Sequence, residues 1–214
     1  MIEYKTISLA NQVYEKLEMN ILSGVYDYGE VITENRLSEE LGVSRTPIRE
    51  ALSRLAQDHL IADSSKGTIV VGITPKDIED IFEIKRRIEV LAATWVVDNI
   101  DEEGLNKLKD ILEQQEFYAS KNEPKKVRNL DTEFHDVMYS NCDSVVIQSI
   151  LSPLHKKLLK YRQASLENED RMSKSVEEHR GIYEAIKKKD KKKVEELMLN
   201  HINNAGKNIM KRGK

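Results

Sequence analysis

Leu41-Gly42-Val43-Ser44-Arg45-Thr46-Pro47-Ile48-Arg49-Glu50-Ala51-Leu52-Ser53-Arg54-Leu55 is the stretch that decides the fold of the first third of the chain. Gly42 ends one helix, and Ser44 caps the next, with Pro47 in its first turn, where a missing N–H costs nothing. Ile48, Leu52 and Leu55 make an apolar stripe on one side of this helix, while Arg45, Thr46 and Arg49 leave its N-terminal turns on the other. Two short helices joined by Gly42-Val43 form a helix-turn-helix.

Upstream, Val13, Leu17 and Ile21 predict a helix from about Leu9 to Ser23, with Gly24 as its stop. A short linker, Val25 to Ile32, follows. Thr33 caps a second helix that carries Leu37 and Leu41. Downstream, Leu60-Ile61-Ala62 and Thr68 to Val71 read as two strands around the polar turn Asp63-Ser64-Ser65-Lys66-Gly67, which makes a wing.

A recognition helix enters the major groove by its N-terminal end, where arginine forks onto guanine O6 and N7. Ser44 and the helix N-terminus favour phosphate oxygens. Against this stands the charge of residues 1–73, which hold seven lysines and arginines and eleven acids, a balance of −4. A nucleic-acid domain is usually basic, so positive charge must be concentrated on one face. Between Ser44 and Arg54 it is, with three arginines against the single acid Glu50. An isolated arginine pair is more often a solvated surface; the helix-turn-helix and wing around this one favour a DNA contact.

The run from Leu41 to Leu55, within about residues 9–73, closely resembles the DNA-binding signature of the GntR family of regulators. The resemblance implies that Arg45 and Arg49 contact double-stranded operator DNA, helped by Ser44 and Thr46. It places Lys66 and Gly67 of the wing near the minor groove or backbone, and Arg36 as a weaker candidate for a phosphate contact. Two positions depart from the pattern. Tyr28 stands where the family has proline, and His59 where it has glycine; a left-handed His59 would cost about 1 kcal/mol.

The remaining 140 or so residues show helical periodicity and no strand. Thr74-Pro75-Lys76-Asp77 is a helix start, and the domain boundary is expected at Gly72 to Thr74, giving domains 1–73 and 74–214. Helices are predicted over about 75–98, 102–121, 124–141, 144–165, 171–189 and 191–211. The fold class is therefore mainly α, a winged helix-turn-helix followed by an all-α bundle of about six helices. Cys142 is the only cysteine, which excludes an internal disulfide framework and a cysteine-rich zinc site and fits a reducing cytoplasm. No stretch approaches the roughly 18 apolar residues of a membrane span, and no secretory signal is visible at the N-terminus.

Helical-wheel arithmetic puts His179 inside the stripe of Val176, Ile182, Tyr183 and Ile186, and His201 inside that of Val194, Leu197, Met198 and Ala205. Asp131 and His135, four apart, share a flank of the stripe of Val127, Leu130, Phe134 and Met138. A lone inward histidine is usually a satisfied core residue. Four inward groups of metal-ligand type from three helices raise a divalent metal to equal standing, and imidazole with carboxylate suits Zn, Ni, Mn or Fe.

Leu130-Asp131-Thr132-Glu133-Phe134-His135, Glu178 to Ile186 and Asn200-His201-Ile202 resemble the motifs of the FadR-type (FCD) ligand domain of GntR regulators. The intervals of 4, 44 and 22 residues agree with its metal-binding members. The resemblance implies a metal held by Asp131, His135, His179 and His201, with open positions for water or a small organic acid. A dication with one carboxylate leaves a positive site, attractive to an anion. Lys85 falls in the apolar stripe of the helix from Pro75, beside Glu89; it is either half of an internal ion pair or the anchor of an effector carboxylate. The family has arginine here, and lysine cannot form the same fork. Arg86, Arg128 and Arg162 are lesser effector candidates. The expected protein is a homodimeric, ligand-responsive repressor and not an enzyme; the alternatives are a metal-dependent hydrolase or oxygenase with a DNA-targeting head, and a bundle stiffened by a purely structural metal.

Overall fold

The computed structural model describes residues 8–65 and 67–212, for Arg212 the backbone only. The chain divides into two compact units that meet between Thr74 and Pro75.

In the first unit α1 (Leu9–Ser23) starts at Ser8, whose side chain accepts from the Asn11 amide at 3.2 Å, and stops at left-handed Gly24, φ 79°. Helix α2 (Glu34–Leu41) is capped by Thr33 and ended by Gly42, φ 66°. Helix α3 (Arg45–Gln57) follows after two residues. Ser44 occupies the N-cap position of α3 but makes no side-chain cap hydrogen bond, which corrects the capping expected of it. Helices α1 and α3 pack together, and Arg54 ties them from outside, stacked 3.9 Å over the Tyr14 ring and bonded to Asn11. Leu17, Leu37, Ile48, Leu55 and Leu60 fill an apolar core.

The wing is a three-stranded antiparallel sheet of order β1-β3-β2, with β1 (Val31–Ile32), β2 (Ile61–Ser64) and β3 (Gly67–Val70). β1 lies in the segment expected to be linker. Two residues are too short to show a period of two, and Val31 and Ile32 become a strand only by pairing with Ile69 and Thr68. The hairpin is also tighter than expected, because Asp63 and Ser64 pair with Thr68 and Gly67. Gly67 supplies the positive φ, 109°, on which β3 begins.

The second unit is all helical. Pro75–Ile84 (α4) and Val90–Asn99 (α5) are joined without a break by a π turn, Lys85–Glu89, where a continuous α-helix was expected. Then come α6 (Glu102–Ser120), α7 (Pro124–Ser140), α8 (Val145–Lys157), α9 (Leu159–Leu166), α10 (Glu169–Lys187) and α11 (Lys191–Arg212). The helix expected over 144–165 is thus two, divided at Leu158, with Pro153 inside α8 withholding one ladder N–H. Helices α6 and α7 pack closely, as do α10 and α11. At the start of α6 a Cβ on Gly104 would stand 2.7 Å from Ile100 Cγ1 and 2.8 Å from Asn141 Oδ1, so glycine permits that approach.

Candidate nucleic-acid interface and metal centre

Helix α3 buries Pro47, Ile48, Ala51 and Leu55 and leaves Ser44, Arg45, Thr46 and Arg49 exposed at its N-terminal end. Burial of one stripe fixes which way the other faces, so the arginines stand outward because Ile48 and Leu55 must be covered. Arg49 Nε donates to Glu34 Oε2 at 2.7 Å. Arg36, on α2, donates to Glu30 at 2.7 Å and Glu40 at 2.6 Å, which ties it to the body of the unit. Gly67 opens β3 at the wing; Lys66 lies outside the described residues.

In the second unit Asp131, His135, His179 and His201 are all buried. The ligand atoms of His135, His179 and His201 lie within 4.8 Å of one another, and Asp131 Oδ1 is 3.6 Å from His179 Nε2. Each imidazole has an oxygen at its Nδ1: Gln115 Oε1 at 3.0 Å for His179, Glu178 Oε2 at 2.8 Å for His201 and Glu89 Oε1 at 2.7 Å for His135. At His179 and His201 the oxygen acceptor keeps the proton on Nδ1 and leaves the Nε2 lone pair free, the tautomer that binds metal, whereas His135 Nδ1 meets Glu89 as a close polar contact without hydrogen-bond geometry. Glu178 is itself gripped by both terminal nitrogens of Arg171, at 3.1 and 3.0 Å.

Burial pushes the pKa of His179 well below its usual value, reinforced by His201. Burial also lowers His135, although Glu89 opposes it. Both are neutral, as a ligand must be. Burial works to raise Asp131, but the Arg162 guanidinium paired with it, together with His155 and His135, prevails and holds its carboxyl well below the usual range. Lys85, His135 and His155 do the same for Glu89 against its burial. His179 Nε2 has no hydrogen-bond partner among the described residues although it is fully enclosed. A buried lone pair left unmatched beside a carboxylate and two further imidazoles fits a divalent cation. Beside this cluster lies a cavity of about 40 Å³, room for a few water-sized groups. Lys85, Asp131, His135, Arg162 and His201 line it, with Phe82 and Ile202 among its apolar walls.

Residues 9–71 match the model of the bacterial regulatory proteins of the gntR family, and residues 80–204 match the FCD domain. The chain belongs to the GntR family. This GntR regulator is 32% identical over 194 residues to the uncharacterized HTH-type transcriptional regulator YdhC of Bacillus subtilis, covering 90% of this chain and 87% of that one. It is 31% identical to the gluconate operon transcriptional repressor of the same organism, over 84% of this chain and 76% of the repressor. The solved structure of Escherichia coli McbR/YncC superposes with a TM-score of 0.84 over 98% of this chain and all of that one, at 20% identity, a likeness of fold. Among the described residues no helix is long and apolar enough to cross a membrane.

In this GntR regulator the effector candidates separate. Lys85 forms the internal pair with Glu89, at 2.6 Å, and Arg162 pairs with Asp131, both inside the cavity wall. Arg86 instead donates to Glu83, at 2.8 Å, on the outside of α4, and Arg128 donates to its neighbour Asn129 at 2.6 Å; neither lines the cavity. Within the π turn Lys85 and Glu89 are buried, and Arg86 and Arg87 between them stay outside. Sequence reasoning missed His155, buried on α8 with its ring 4.4 Å from that of His135. Its signal was present, because Ile147, Leu151 and His155 repeat every four residues along one buried stripe.

Proposed function

We propose that this GntR regulator is a cytoplasmic, homodimeric repressor whose second unit holds one divalent metal on Asp131, His135, His179 and His201 and senses a small carboxylate there. The observation that carries the sensing half is the pattern at the three imidazoles, with an oxygen at every Nδ1 and an unmatched buried Nε2 on His179. Zn, Ni, Mn or Fe all suit three nitrogens and one carboxylate. When bound, the metal supplies positive charge and open coordination for an anionic ligand. The chain does the rest. Gln115, Glu178 and Glu89 orient the imidazoles, Arg162 fixes one carboxylate oxygen of Asp131, and the apolar walls exclude bulk water. Lys85 and Arg162 flank the cavity, and its 40 Å³ favours an acid of few atoms.

At the other end, Ser44, Arg45, Thr46 and Arg49 enter a major groove, with Lys66 and Gly67 on the neighbouring backbone or minor groove. Arg36 serves a phosphate only by leaving Glu30 and Glu40. Two such heads in a dimer read a palindrome with half-sites one helical turn apart. Regulation requires that the acid bind two arrangements of the protein with different affinity. A catalytic reading is disfavoured because Asp131, the one carboxylate lining the cavity among the described residues, is committed to Arg162, and the buried Glu89 and half-buried Glu178 beside the imidazoles are committed to Lys85 and Arg171.

Gel-shift titration on promoter DNA, with metal-loaded and chelator-stripped protein and a panel of small acids, tests the proposal. An acid that changes operator affinity only in the loaded protein supports it. Metal-loaded protein whose operator affinity no acid alters would remove the sensing half.

A further inference from the structure

The proposed ligand set uses three of the four buried histidines, and the fourth, His155, has an environment of its own. Its Nδ1 lies 3.3 Å from Lys85 Nζ, and its Nε2 lies 3.4 Å from Asp131 Oδ2. An ammonium can only donate. Lys85 pairs ionically with Glu89 Oε2 at 2.6 Å, and its N–H groups face His155 Nδ1 at 3.3 Å and Tyr139 Oη at 3.4 Å. Nδ1 of His155 is therefore an acceptor, and the ring proton sits on Nε2, facing Asp131. That Nε2 makes no well-formed hydrogen bond among the described residues, although it is fully buried. It is a donor held in reserve beside one oxygen of a proposed ligand.

Resting on the metal reading above, we infer that His155 is a positioning residue of the metal centre and not a fifth ligand. Its Nε2–H, with Arg162, restrains Asp131 Oδ2, which leaves Oδ1, the oxygen 3.6 Å from His179 Nε2, for the metal. Lys85 locks this tautomer and at the same time holds Glu89, whose Oε1 stands at His135 Nδ1. One run of polar contacts, Asp131–His155–Lys85–Glu89–His135, thus braces two ligands from behind. The same lysine speaks against a second metal among Glu89, His135 and His155, which also lie close enough to share one. Its ammonium already touches Glu89 and His155, so a resident cation fills that space.

The test uses the full chain, stripped with chelator and titrated with Zn²⁺ and Co²⁺. His155→Leu removes both nitrogens and is expected to weaken Zn²⁺ binding about 10–100-fold, the usual loss when a residue behind a ligand is removed. His155→Gln keeps an acceptor and a donor about as far apart as the two ring nitrogens and is expected to bind close to wild type. Both should give the wild-type Co²⁺ absorption spectrum at saturation, because the ligands do not change. Should the leucine variant fail to fold, His155→Asn, one methylene too short to reach both partners, is the loss variant with the same expected fall. Equal losses in the Gln and Leu (or Asn) variants with an altered Co²⁺ spectrum would make His155 a ligand and overturn the inference. So would wild-type affinity in the loss variant. A wild-type chain that takes up neither ion would instead bring down the metal reading on which this rests.

Discussion

Every buried polar or charged side chain among the described residues, twelve in all from Lys85 to His201, belongs to the C-terminal unit. The N-terminal unit buries only apolar side chains and keeps its charges outside, as in the pairs Arg49–Glu34 and Arg36–Glu40. A unit that reads another molecule with its outer face can afford a dry core. The C-terminal unit carries buried charge, and each such charge needs a partner inside. The candidate site residues lie outside the buried stripe in the first unit and within it in the second.

The largest effect expected from this contrast is on DNA. Replacing both Arg45 and Arg49 by alanine removes the outward pair without touching the core, and at about 1–3 kcal/mol per base-reading arginine it should cost about 2–6 kcal/mol of specific affinity. Folding should stay intact. Gel shifts on specific and scrambled duplexes check this, and undiminished selectivity would break the contrast at its first half.

Acid should act on the other unit. Burial is the leading cause that sets His135, His155 and His179 below their usual values. Below about pH 6.5 the unfolded chain takes up protons that the folded one refuses. The stability from these residues is therefore full above that pH and falls as pH drops, by up to about 1.4 kcal/mol per pH unit for each histidine, or about 4 for three. Denaturant melts of metal-free protein between pH 7.5 and 5.5, followed by the single tryptophan, Trp95 on α5, report this unit. No histidine is buried in the described residues of the N-terminal unit, so this burial effect belongs to the C-terminal unit. A pH-independent Trp95 transition would contradict the buried-neutral reading.

A smaller effect is expected at His59. It is left-handed, φ 59°, at the end of α3. His59→Gly should stabilise the first unit by about 1 kcal/mol, read as a higher denaturation midpoint; an unchanged or lower one would show that the conformation is unstrained. Smallest of all, Glu34→Gln should alter stability by less than about 1 kcal/mol while strengthening DNA binding at low salt, since it frees Arg49 of a competing acid.

How far the sequence could be read follows from the same contrast. Helices α1, α2 and α3 were legible because one-sided burial writes itself as a 3.6-residue stripe with glycine stops at Gly24 and Gly42. Asp131, His135, His179 and His201 were legible as polar interruptions of such stripes. The oxygens that set the tautomers were not, because Gln115 lies 64 residues from His179 and Glu178 lies 23 from His201. No local period records such a pairing. The π turn escaped because a single added residue leaves the flanking stripes intact, and β1 because Val31-Ile32 has no pattern apart from its partner strand.

The most direct measurement is the metal content of the full chain after equilibrium dialysis against micromolar divalent ion, for wild type, Asp131→Asn/His179→Ala and Arg45→Ala/Arg49→Ala. The predicted result is one ion per chain in the wild type and in the arginine variant, with almost none in the Asp131/His179 variant. An empty wild type, or an ion retained without Asp131 and His179, would contradict it.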